Sequence, residues 1–299
     1  MSDAVIVDAC RRRGLGGSPT AVLDDEDSLT DAERSRVPAI AGTSHAVFVR
    51  EIEAEIEVEV GGEFEGVGNA DRPAFALRFF TTEGELPACG HGTVAAVALL
   101  AERSGGDQFQ AHLRAATRRF EGWAVREGGR LAAAFDPGPV DLRAPKPEEL
   151  EAVAAGLGIA VGGIAEEACV ASVGRERMLL PLASRSALAE LAPNFAQLKE
   201  ACDRFGFLGC YAYSVPEADG LSAARMFAPS IGVPEDIANA NSTGCLAAYL
   251  AGRGVARLSV DMGDHLGSPS TITATVHDGP SGRQIRLGGE AAGMRSISV

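Results

Sequence analysis

Apolar residues in this chain fall mostly into short runs bounded by Gly, Pro, Asp and Ser, the pattern of β-strands. Such runs predict strands at 3–7, 20–23, 46–49, 75–81, 167–173, 210–215, 224–227, 258–262, 271–276 and 284–287. At 51–60 the sequence EIEAEIEVEV alternates acidic and apolar residues, which predicts a strand with one wet face. Helical patterns cover 24–41, 93–103, 145–155, 186–192, 194–205 and 245–251. The second of these is Ala-rich, is entered from Cys89-Gly90-His91-Gly92 and stops at Gly105-Gly106, as a helix C-terminus should. The third opens on Pro147, Glu148 and Glu149, residues suited to a first turn. Strands and helices mix without strict βαβ alternation, so the expected class is α+β.

The two Ala-rich helices resemble each other in detail. Gly92-Thr93-Val94-Ala95-Ala96-Val97 aligns with Gly244-Cys245-Leu246-Ala247-Ala248-Tyr249 at an offset of 152 residues, about half the chain. Each follows a similar strand, Arg78-Phe79-Phe80-Thr81 or Arg225-Met226-Phe227-Ala228. This predicts two pseudo-equivalent lobes, each with a curved sheet around a central helix. The expected lobes are 1–128 with 284–299, and 129–283, the last strand returning to the first. A pseudo-twofold axis would bring both helix starts to one cleft, where unpaired N–H groups and positive dipole ends favour a small carboxylate.

Composition narrows the function. The 299 residues are 46% hydrophobic and 23% charged, which excludes a disordered chain, and the net charge of −14 argues against nucleic acid or an anionic membrane as partner. The longest apolar stretch, 94–101, is far below the ~20 residues of a membrane span. No signal-like segment opens the chain, and the six cysteines show no C-x-x-C, so reduced thiols and a cytoplasmic location are expected. The five histidines lack H-x-x-x-H spacing, so no metal is expected. No G-x-G-x-x-G opens a βαβ unit, which disfavours hydride transfer.

The two turns ahead of the Ala-rich helices hold a thiol, an imidazole and a carboxylate: Cys89, His91 and Asp236. Singly, Cys89 reads as a small buried hydrophobe and Asp236 as a cap or turn residue. Their similar placement in a repeat favours a catalytic reading.

These segments resemble a known family. Arg225-Met226-Phe227-Ala228-Pro229, Gly232-Val233-Pro234-Glu235-Asp236 and Thr243-Gly244 are similar to the signature of the PhzF-like (phenazine biosynthesis) family, R-x-F-A-P then G-x-x-E-D-x-x-T-G-S. Gly17 to Val22 resembles its G-N-P-x-A-V, Thr43 to Val49 its S-E-T-A-F-V, Glu85 to Thr93 its E-x-P-x-C-G-H-A-T, and Leu266 to Ser270 its M-G-R-P-S. The resemblance covers nearly the whole chain in order. It implies the diaminopimelate-epimerase-like fold, a site between the lobes, isomerase chemistry without a cofactor, and a homodimer. Carried over by motif, the acid/base groups are Asp236, His91 and His45, with Cys89 beside them. Ser44, Pro19, Gly90, Gly92, Asn241, Ser242, Thr243 and Gly244 are the expected substrate-binding positions, the helix-start amides near 90–92 and 242–244 holding a carboxylate.

Three positions depart from the family pattern. His45 stands where the family has Glu, Asn239-Ala240-Asn241 falls where T-G-S is expected, and Ser268 replaces an Arg. These changes point to a different substrate, such as a small cyclic amino or imine acid of specialised (antibiotic-type) metabolism. Asp236 or His45 would take the C–H proton, and the conjugate acid or His91 would return it. Burial should raise the Asp236 pKa. Two alternatives stay open. Cys89 to Thr93 is also close to the first motif of proline racemase and hydroxyproline epimerase, but the offset maps Cys89 onto Asn241, and Cys245 lies four positions on. The third reading is a non-catalytic binding protein on an isomerase fold.

Overall fold

The structure is a computed structural model that describes residues 3–53, 72–279 and 282–299. The first half contains β1 (Asp3–Arg11), β2 (Ser18–Asp24), α1 (Asp31–Arg34), α2 (Val37–Ala41), β3 (His45–Ile52), β4 (Ala74–Thr81), β5 (Gly84–Leu86), α3 (Gly90–Ser104), β6 (Gln108–Ala115), β7 (Arg118–Glu127) and β8 (Arg130–Phe135). The second half contains β9 (Asp141–Arg143), α4 (Pro147–Gly156), β10 (Cys169–Val173), β11 (Arg175–Leu182), α5 (Arg185–Ala189), α6 (Phe195–Phe205) and β12 (Cys210–Ser214). It continues through β13 (Leu221–Ala228), β14 (Val233–Asp236), α7 (Ala240–Ala251), β15 (Arg257–Met262), β16 (Ser270–Gly279) and β17 (Gly282–Ser298).

Strand pairing demonstrates the repeat. In the first half β1–β2 is antiparallel, β2–β3 parallel, β3–β4 and β4–β5 antiparallel, β4–β6 parallel, and β6–β7 and β7–β8 antiparallel. In the second half β10–β11, β11–β12, β12–β13, β13–β14, β13–β15, β15–β16 and β16–β17 follow the same sequence of senses. Parallel pairs need a crossover, supplied by the α1–α2 segment between β2 and β3 and by α5–α6 between β11 and β12. Two segments tie the halves together. β17 starts on β16, then runs against β8 and along β1, so the last strand does return to the first; β9 pairs with β10. Because β17 joins β8 to β1, the strands of the first lobe close into a ring around α3.

Both central helices lack a polar face, so each must be enclosed to be stable. Every residue of α3 from Gly90 to Ala101 is buried, and so is most of α7. A duplicated ion pair braces each lobe. Arg78 donates to Glu85 at 2.8 and 2.7 Å and lies 5.0 Å over Phe80; Arg225 donates to Glu235 at 2.9 and 2.8 Å and lies 4.9 Å over Phe227.

Several expectations are corrected. The helices are related by 150 residues, not 152: α3 opens at Gly90 with Cys89 as N-cap, and α7 at Ala240 with Asn239 as N-cap. The hydroxyl of Thr93 donates to the Cys89 carbonyl (2.8 Å) and that of Thr243 to the Asn239 carbonyl (3.1 Å). Ala-rich sequences align almost equally well two residues apart, whereas the caps allow one register. Cys89 therefore corresponds to Asn239, and His91 to Asn241. The segment 24–41 is not one helix. A Thr30–Glu33 capping box starts α1, and Pro38, which lacks an N–H, sits in the first turn of the separate α2. Of the alternating run 51–60, Glu51 and Ile52 end β3, and residues 54–60 lie outside the described residues.

The strands β6–β8 and β11 had no strong sequence signal. β8 reads RLAAAF, and β7 carries Gly122, whose added Cβ would lie 2.7 Å from Leu113 Cδ1 and 2.9 Å from Val97 Cγ2. Small residues stand where large strand formers would leave α3 no room. The β7–β8 hairpin also carries first-lobe pairing past residue 128, so the lobe boundary follows Phe135. Among the described residues, no helix is long and apolar enough to cross a membrane.

The helix starts face each other with no space between them. A Cβ built on Gly90 would stand 2.7 Å from Ala240 Cβ and 2.8 Å from the Asn241 nitrogen. Helix propensity alone favours Ala over Gly by about 1 kcal/mol. Here the clash should win, and Gly90→Ala should destabilise by about 1–3 kcal/mol in urea titration.

Candidate active site

Three elements place four acid–base groups around the junction of the two helix starts. His45 is the first residue of β3, His91 the second of α3, Cys89 its N-cap, and Asp236 the last residue of β14. All four are nearly sealed from solvent, at 3%, 2%, 5% and 5% exposure respectively. His91 Nε2 lies 3.1 Å from His45 Nδ1 and 3.5 Å from Cys89 Sγ, and its Nδ1 is 4.0 Å from Asp236 Oδ2. The imidazoles meet edge to face, 4.5 Å apart at 80°. Ser44 Oγ lies 2.9 Å from His45 Nδ1. A chain of proton-carrying groups thus runs from Ser44 through His45 and His91 to Asp236.

The environment sets distinct protonation states. Burial, then the neighbouring His91 charge, push the His45 pKa well below its ordinary 6.5, so this ring is neutral at pH 7. Burial also opposes charge on His91, but negative charge on Cys89 and Asp236, with hydrogen bonds to Cys89 and the Ala238 backbone, overcomes it and raises His91 to about 9. Burial raises the Asp236 carboxyl above the usual carboxylate range. His91 and hydrogen bonds from Asn239 and the Ala238 and Ile237 backbone partly offset this.

The two helix starts are unlike. Asn239 Oδ1 accepts the Ser242 N–H (3.0 Å), and its Nδ2 donates to Asp236 Oδ2 (3.0 Å). The α7 start is therefore already capped, by the residue that orients the carboxylate. The Cys89 side chain makes no such bond, so the α3 start remains open to an anion.

A cavity of about 70 Å³ opens on this cluster. His45, Cys89, Gly90, His91, Asp236 and Asn241 line it. Ser44 acts on it through His45. The other expected binding positions lie elsewhere for packing reasons. Gly92 packs behind the site, where a Cβ would meet Val47 at 2.9 Å and Cys89 Sγ at 3.0 Å. Ser242 is fully buried with its N–H capped, Thr243 shares a 2.7 Å hydrogen bond with the Tyr211 hydroxyl, and Gly244 packs near Leu287 and Pro137. Pro19 sits in the β1–β2 ladder opposite Asp8. The Ser242 N–H donates to Asn239 Oδ1 and the Thr243 N–H to the Asn239 carbonyl, so neither amide is free for a substrate carboxylate. Sequence reasoning missed Asn239, although an Asn three residues before Ser242 is a recognisable N-cap. It also missed Arg175 and Arg177, both on the unrecognised β11 and both lining the cavity.

The donor atoms of His45, Cys89 and His91 all lie within 4.8 Å of one another. Imidazole and thiolate ligands suit an ion such as Zn²⁺. The expectation of no metal rested on spacing along the chain, which cannot register donors brought together from β3 and α3.

Paired lobes, each with a helix inside a curved sheet, define the architecture shared by PhzF-like and diaminopimelate-epimerase-like proteins. The family model "Phenazine biosynthesis-like protein" matches residues 7–296, and the chain belongs to that family. It is 33% identical over 260 residues to an uncharacterised isomerase of Pseudomonas aeruginosa, covering 86% of this chain and 85% of the relative. It is 27% identical over 278 residues to a trans-2,3-dihydro-3-hydroxyanthranilate isomerase of Pseudomonas fluorescens, covering 92% and 90%. A solved structure described as a predicted epimerase, also from P. aeruginosa, superposes with a TM-score of 0.79 at 26% identity over 100% of this chain and 99% of the other. Family and fold support an isomerase-like enzymatic role on small carboxylates.

The raised His91 value has a consequence for stability. Its protonated form is favoured in the folded state, so this contribution is complete below about pH 6.5 and disappears as pH rises through about 9. Thermal unfolding between pH 6.5 and 9 should show a falling Tm for the native chain and a flatter profile for His91→Asn.

Proposed function

We propose that this protein is an acid–base isomerase that moves a proton, and with it a double bond, within a small cyclic carboxylate, without a cofactor. The observation that carries this reading is the buried His45–His91–Asp236 chain facing one cavity beside the uncapped start of α3. Asp236 is the base: burial raises its pKa, which gives it more proton affinity than an ordinary carboxylate. His91, protonated up to about pH 9, is the acid that returns the proton to another carbon. His45 has too low a proton affinity to serve as the resting acceptor. Its neutral Nδ1 accepts from His91 Nε2–H and so orients the acid; the proton that Asp236 takes from the substrate passes back to His91 Nδ1, 4.0 Å away, between turnovers. The uncapped amides at the start of α3 stabilise negative charge that develops on the substrate.

A ring carboxylate fits the small cavity and is the kind of substrate on which the P. fluorescens relative acts. The His-for-Glu change at position 45 supports a cyclic amino or imine acid of specialised metabolism in place of that relative's substrate. We further propose a homodimer in the cytoplasm, as the family resemblance implies. A two-thiol racemase is less well supported, since the counterpart of Cys89 is Asn239, which caps α7, and Cys245 is buried within that helix.

Incubation with cyclic amino and imine acids in deuterated water tests the proposal. Deuterium should enter the isomerised product, and Asp236→Asn should lower turnover about 10²–10⁴-fold without loss of fold. The rate should fall at high pH with a midpoint of about 9. Activity should survive exhaustive chelation. Full turnover in Asp236→Asn would overturn the assignment of the base.

A further inference from the structure

Arg177 is a buried cation with no counter-ion. It projects from β11, is 2% exposed and is among the largest fully enclosed side chains of the protein. Its Nη2 donates to the Arg175 carbonyl (2.8 Å) and its Nη1 to Ser242 Oγ (3.3 Å), and its Nε has no partner. Both partners are neutral, and among the described residues no carboxylate forms an ion pair with it. The Cys245 thiol, held protonated by burial, supplies no charge either. Burying a guanidinium without a compensating charge is unfavourable, so such groups are normally paired. The Arg177 side chain also lines the cavity that holds Asp236, His45 and His91. Arg175, at its more exposed edge, adds a second positive charge to the same wall.

We infer that Arg177 is the counter-charge for a carboxylate of the substrate, which seats on the second-lobe wall of the cavity while the reacting carbons face Asp236 and His91. This rests on the isomerase reading for the role of the site, but the anion subsite stands on its own geometry. Asn239 caps the Ser242 amide at the start of α7, and Arg177 sets a guanidinium beside that capped turn through Ser242 Oγ. A planar fork with free N–H positions favours a carboxylate over a neutral amide, because only the anion relieves the buried charge. Arg177 is thus a specificity-determining residue: it selects anionic substrates and fixes which face of the ring meets Asp236.

Binding of benzoate and of isosteric, uncharged benzamide tests the inference without any turnover. Calorimetry and thermal shift on the native chain should show benzoate binding at least tenfold tighter than benzamide. Arg177→Gln should abolish that preference, and Arg177→Lys should retain part of it. Arg177→Gln should also unfold at the same or a higher temperature, since it removes an uncompensated charge; a structural Arg would lower it. Equal binding of benzoate and benzamide by the native chain, or an undiminished preference in a folded Arg177→Gln, would overturn the inference. If benzoate binds as expected while no deuterium is incorporated from any substrate, the subsite stands and the isomerase reading falls.

Discussion

The face-to-face approach of the α3 and α7 starts is the constraint on which the rest depends. With no room for even a Cβ at Gly90, the first turns of both helices are made of Gly, Ala, Ser and Thr apart from His91 and Asn241, which line the cavity. Helices that begin this close to each other must be buried end-on, so their sequences carry no polar face and their sheets curve around them. The same approach places the residues flanking each helix start, Cys89 and His91 on one side and Asn239 and Asp236 on the other, within reach of one cavity. Packing and chemistry thus have one origin: small residues let the lobes meet, and where they meet the titratable groups are desolvated together.

Desolvation then separates groups that are alike in water. Two imidazoles 3.1 Å apart cannot both be charged. His91, next to Asp236 and Cys89, takes the proton, and His45, without a negative neighbour of that kind, gives it up. The pair is an acid and a neutral acceptor by position alone. The repeated lobes have also diverged: Asn239 closes one helix start and aims the carboxylate, while Cys89 leaves the other open. The two walls of the cavity are therefore chemically different although the lobes that supply them are pseudo-equivalent.

The sequence showed the repeat, the two-lobe α+β fold and four of the groups around the cavity, because Gly-rich turns before Ala-rich helices and the family motifs are local features. What it concealed was non-local. The register of the repeat was two residues out until the caps at Cys89 and Asn239 were seen, since Ala-rich helices carry little register information. β8 and the Gly122 position of β7 lack strand-forming bulk because their small residues make way for α3. Arg177 was invisible because burial of an Arg is a property of the fold, and the strand bearing it had no signal. Ser242, Thr243 and Gly244 were expected at the substrate because they follow the turn, but a helix rotates successive residues by about 100°, and this set faces the core.

The central claim is the division of protonation states between adjacent histidines, and it is measured most directly by ¹⁵N NMR of the imidazole nitrogens across a pH titration. The account predicts one ring, assigned to His91 by substitution, with both nitrogens protonated up to about pH 9, and a second, His45, that stays neutral well below pH 6.5. Two histidines titrating together near 6.5 would contradict it.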